Sequence, residues 1–79
     1  MEFKDRLREA MSRRGLRQVD MVGLFNEEAK RIGMDKRIKL TESMVNNHLS
    51  GHSGATALRL LIYARILDVD PEWLYGLDE

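Results

Sequence analysis

The sequence has no cysteine and only two histidines, so neither a disulfide framework nor a cysteine-based zinc site can be built from its 79 residues. It has no run of about 18 apolar residues, the minimum for a membrane-spanning helix. Its opening, Met1-Glu2-Phe3-Lys4-Asp5-Arg6, lacks the apolar stretch behind a basic start that marks a secretory leader. A soluble, cytoplasmic protein is the expectation, with no membrane partner. Nucleophile motifs and phosphate-binding glycine loops are also missing, and Gly15 and Gly33 fall where helix ends explain them. No enzyme activity, cofactor, metal or small-molecule substrate is therefore expected. A chain this short buries only about 60–65% of its unfolded surface, so a single domain over residues 1–79 is expected, stabilised by helix packing.

A surplus of one charge is lacking as well, since 13 Lys and Arg balance 13 Asp and Glu. The halves nevertheless differ. Residues 1–39 hold eleven basic against seven acidic side chains, +4, whereas residues 40–79 hold two against six, −4. Such a division fits one basic and one acidic face, although a scatter of surface charge remains an alternative.

What is present is a string of helical patterns separated by glycine. Phe3, Leu7, Ala10 and Met11 share one face of a helix over residues 3–14, which Gly15 stops. Met21, Val22, Phe25, Ala29 and Ile32 form the stripe of a second, long helix from residue 18 to 32, closed by Gly33. Residues 34–40 show no clear period and are expected to be a basic loop. Thr41 is a good N-cap, and Glu42 suits the first turn of a third helix over residues 42–49. Val45 and Leu49 then face inward, and Glu42, Ser43, Asn46 and Asn47 share the outward arc. Residues 57–67 are apolar nearly all round, as suits a central helix. Asp70 followed by Pro71 starts a short fifth helix over residues 71–75. Met11, Met21 and Met44 are expected to fill the core.

Several landmarks in this order carry a family resemblance. They are the arginine-rich first helix ending in Gly15-Leu16, then Gln18 with Met21 and Val22, then Val45-Asn46-Asn47-His48-Leu49-Ser50-Gly51, and finally Val69-Asp70-Pro71-Glu72-Trp73-Leu74. Together they resemble the Cro and phage-repressor (XRE-like) helix-turn-helix family over nearly the whole chain. The resemblance implies an all-α, five-helix, lambda-repressor-like fold and a sequence-specific transcription regulator whose partner is double-stranded DNA. The third helix would be the recognition helix. Three departures accompany it. Arg17 stands where most members cap the second helix with Ser or Thr. About a dozen residues, Glu27 to Lys39, replace the usual tight turn. Met11 and Leu49 occupy positions where many members bury an Arg and a Glu, and losing both charges together avoids stranding either one.

On this resemblance Glu42, Ser43, Asn46 and Asn47 would face the major groove, where Asn bonds adenine bidentately and Glu accepts from cytosine. The alternative is a polar, solvated face. Gln18 would anchor the second helix to a phosphate. Arg17, Lys36, Arg37 and Lys39 are phosphate candidates on charge alone, against the commoner fate of solvated side chains. His48 sits where the family often has an aromatic residue, so partial burial is expected. The acidic, aromatic end with Trp73, Tyr75 and Leu77 is the expected homodimer contact. A protein-interaction module, such as an antitoxin or a regulatory partner domain on the same scaffold, is the alternative function.

Overall fold

Apolar residues at helical spacing become five helices in the computed structural model, which describes residues 2–77: α1 (Phe3–Arg13), α2 (Gln18–Arg31), α3 (Glu42–Ser50), α4 (Ala57–Leu67) and α5 (Pro71–Tyr75). No strand occurs among the described residues, and the fold is all-α. The helix ends lie within one residue of those expected. At the end of α2, Ile32 leaves helical geometry and Gly33 takes φ +78°, so that the Met34 amide turns back to the Ala29 carbonyl at 2.8 Å. Glycine suits this left-handed position because it has no Cβ to clash with the preceding backbone. At α5, the Asp70 carboxylate accepts from the Glu72 amide at 2.8 Å and Pro71 occupies the first helical position.

The helices pack α1 on α3 and α5, α2 on α3 and α4, and α4 on α5. Each contributes a side chain with no exposed surface to one core: Leu7, Phe25, Val45, Tyr63 and Leu74. Phe25 meets Tyr63 edge-on, with ring centroids 5.5 Å apart at 68°. Met11 and Leu49 lie in this core, while Met44 is partly buried against it. The Arg8 guanidinium donates to the Leu49 carbonyl at 2.9 Å and ties α1 to the last turn of α3.

The connection between α2 and α3, residues 32–41, is not the plain basic loop expected from its lack of helical period. Ile38 and Leu40 are buried in the core, and Arg37 and Lys39 between and beside them are exposed. The Arg37 and Ile38 amides both donate to the Met34 carbonyl, at 2.9 and 3.0 Å, which closes the connection's first half as a turn. A connection of this size costs about 1 kcal/mol more in closure entropy than a turn of about four residues would. Burying an Ile and a Leu contributes about 1.5–3 kcal/mol each, so the connecting segment is held in place.

The carboxyl-terminal end of α2 is also fastened. Glu28 reaches Arg31 one turn on and Arg65 of α4, with Arg65 Nε donating at 2.7 Å. These two guanidinium groups, Arg31 first, hold the Glu28 carboxyl at about 2, below its ordinary 4.5. A carboxyl depressed in the folded state stabilises it above the unfolded value of 4.5, and that contribution is lost as pH falls from 4.5 towards 2. Melting temperatures of the protein and of Glu28→Gln should therefore differ by a constant amount near neutral pH and converge across that acid window. A gap independent of pH would mean that the ion pairs contribute nothing.

Candidate functional site

Helix α3 is held at both ends and along one side. Thr41 Oγ1 accepts from the Met44 amide at 3.2 Å, closing the amino terminus. At the other end Gly51 adopts φ +79°, and the Asn47 carbonyl collects the His52 and Ser53 amides at 3.0 and 3.3 Å. Val45, His48 and Leu49 form the buried side. Glu42, Ser43 and Asn46 are exposed and Asn47 partly so, which follows from about 100° of rotation per residue with 45, 48 and 49 turned inward. Ser50 is exposed too and lies one turn beyond Asn46 and Asn47. A helix expected to end at residue 49 does not include Ser50, although its i+3 and i+4 spacing from that pair places it on the same face.

His48 is buried more completely than expected, with 4% of its surface exposed. Its Nδ1 lies 2.7 Å from the Tyr63 hydroxyl, and Phe3 packs against both rings. Burial first, and the nearby Arg59 charge second, push the His48 imidazole below its usual 6.5, so it is neutral at physiological pH. Burial pushes the Tyr63 phenol up, which keeps it protonated. The His48–Tyr63 pair is therefore an uncharged hydrogen bond that docks α3 on α4, beneath the polar arc.

The expected phosphate contacts fall into two groups. Lys36, Arg37 and Lys39 are exposed on the connection that runs into Thr41, and the Lys39 carbonyl accepts from Arg59 Nη2 at 3.3 Å. Gln18 is the first, partly buried residue of α2. Arg17, just before it, is engaged within the chain: its Nε and Nη2 lie 3.1 and 3.2 Å from the Asp20 carboxylate. Asp20 also accepts from the Arg17 amide at 2.8 Å. The missing Ser or Thr cap is thus answered from inside the helix, since Asp20 takes up one amide at its mouth. The Arg17 guanidinium beside Asp20 also holds that carboxyl below the usual carboxylate range.

The three residues expected to share a dimer contact are not in one patch. Trp73 is only partly exposed, with the guanidinium carbons of Arg6 and Arg13 4.8 and 5.5 Å from its ring centroid. Arg6 also donates to the Trp73 carbonyl at 2.9 Å. Trp73 therefore fixes α5 to α1, by cation–π contact with the basic helix. Tyr75 and Leu77 instead line an open apolar groove of about 410 Å³ with Leu60, Leu61 and Pro71, between α4 and α5.

Among the described residues, no group of three or more His, Cys, Asp or Glu side chains is placed to hold a metal ion. Among the described residues, no helix is long and apolar enough to cross a membrane. No protein-family model matches the chain, and no curated protein matches it significantly.

Proposed function

We propose that this chain is a sequence-specific DNA-binding regulator of the helix-turn-helix kind, similar to Cro and phage repressors, and not an enzyme. Helix α3 enters the major groove and α2 crosses the backbone. The observation that carries this reading is the construction of α3. It is capped at its start, docked through Val45, His48 and Leu49, and left with an arc of short polar side chains directly after an exposed basic segment. Such an arc is suited to base edges: Asn46 and Asn47 can each bond adenine through N6 and N7, Glu42 can accept from cytosine, and Ser43 can serve either. Lys36, Arg37 and Lys39 supply affinity through phosphates without preference for sequence. Gln18 would meet a phosphate at the open amides of α2. Arg17 would join it only by exchanging Asp20 for the anion.

Asn47→Ala tests this assignment. A bidentate base contact is worth about 1–3 kcal/mol of discrimination. The variant should therefore lose preference at one base position of a duplex selected from a random pool, with its helicity and the salt dependence of binding nearly unchanged. Equal loss on selected and scrambled duplexes would remove Asn47 from the base-reading set.

The second reading, a protein-interaction module such as an antitoxin or regulatory partner, draws on the apolar groove beside Tyr75 and Leu77. A homodimer closing over this groove would also serve the first reading, by placing two recognition helices on half-sites about 34 Å apart.

A further inference from the structure

A helix-turn-helix reader depends on a fixed angle between its two helices, and here the connection between them runs over residues 32–41. Asn26, halfway along α2, supplies what a short turn otherwise would. Its Nδ2 donates to the Leu40 carbonyl at 3.0 Å, and its Oδ1 accepts from the Leu40 amide at 2.9 Å. The side-chain amide thus pairs with the backbone as a neighbouring strand would, at the residue directly before the Thr41 cap. Both groups are partly buried, and Leu40 itself is 1% exposed, so water competes poorly for these bonds. The Arg59 guanidinium, bonded to the adjacent Lys39 carbonyl, braces the same strip from α4.

We propose that Asn26 is a positioning residue: its two-point clamp on Leu40 replaces the tight turn and holds Lys36, Arg37, Lys39 and the start of α3 in one arrangement for a DNA backbone. The proposal rests on the DNA-binding reading. The chemistry is specific to asparagine at this reach. Alanine removes both partners of Leu40. Aspartate keeps an acceptor for the Leu40 amide but sets a carboxylate against the Leu40 carbonyl, with no proton to offer it.

The test compares the protein with Asn26→Ala and Asn26→Asp in two measurements. Amide hydrogen exchange on the free chains should show the Leu40 amide exchanging at least about ten-fold faster in Asn26→Ala. Amides within α4 should keep their protection, which establishes that the variant is folded. Binding to the selected duplex and to a mixed-sequence duplex should weaken alike in Asn26→Ala, with the salt slope flattened and base preference retained. A merely structural clamp would not move the slope. Asn26→Asp, which keeps the acceptor, should fall between the two in Leu40 amide exchange. Unchanged Leu40 exchange in Asn26→Ala would overturn the clamp, and faster exchange with an unaltered slope would overturn the positioning role alone. A wild-type chain that binds neither duplex would overturn the DNA reading itself and the positioning role with it, whatever the exchange shows.

Discussion

Phe25→Ala is expected to cost roughly 3–5 kcal/mol of folding stability. Phe25 has no exposed surface, lies at the centre of α2, and touches the ring of Tyr63, which is equally buried. Truncation removes the transfer energy of the ring, leaves a cavity that close-packed neighbours fill poorly, and abolishes an edge-to-face contact worth about 0.5–1.5 kcal/mol. A domain of 79 residues has a total stability of about 4–12 kcal/mol at the usual 0.05–0.15 per residue. The variant should thus lose a large share of that stability. Urea denaturation followed by far-ultraviolet dichroism measures it directly. A midpoint within experimental scatter of the wild-type value would mean that the core is not organised around the α2–α4 contact.

The largest effect on binding is expected from changing Lys36, Arg37 and Lys39 together to alanine. All three are exposed on a segment whose alternate residues, Ile38 and Leu40, are locked in the core. Their loss should therefore leave the fold intact. Each phosphate contact releases about 0.9 counterions, so removing three should flatten the log–log dependence of affinity on salt by up to about 2.7 units. Affinity should fall alike for selected and unrelated duplexes, because phosphates carry no sequence information. The contrast with Asn47→Ala is informative: one variant changes slope and keeps preference, the other changes preference and keeps slope. An unaltered slope in the triple variant would place the segment away from DNA.

Most of the helical architecture is legible in local chemistry. Thr41 and the Asp70-Pro71 pair mark helix starts, and Gly15, Gly33 and Gly51 mark ends, each taking positive φ just after a helix. The polar arc of α3 follows from the spacing of Val45 and Leu49 alone. What local pattern missed is long-range or of another period. Ile38 and Leu40 alternate with basic residues at a spacing of two, a signature of extended chain too short to stand out when helical periods are sought. The Asn26 clamp joins residues 14 apart through a side chain that no periodicity distinguishes from solvated asparagine. Trp73 is expected at a dimer contact by resemblance and because the acidic end would lie away from the basic half, but the arginines of α1 already cover its ring, a contact between opposite ends of the chain. By contrast the Arg17–Asp20 pair lies at i and i+3 and was readable from spacing.

The central claim, that α3 and the basic segment before it form a DNA-reading surface, is tested most directly by titrating the wild-type protein with double-stranded DNA at several salt concentrations. Binding should weaken as salt rises, with a log–log slope of about −0.9 per phosphate neutralised, and should favour a duplex selected from a random pool over a scrambled one at every salt. Absence of duplex binding at low salt, or binding with a slope near zero, would contradict the account.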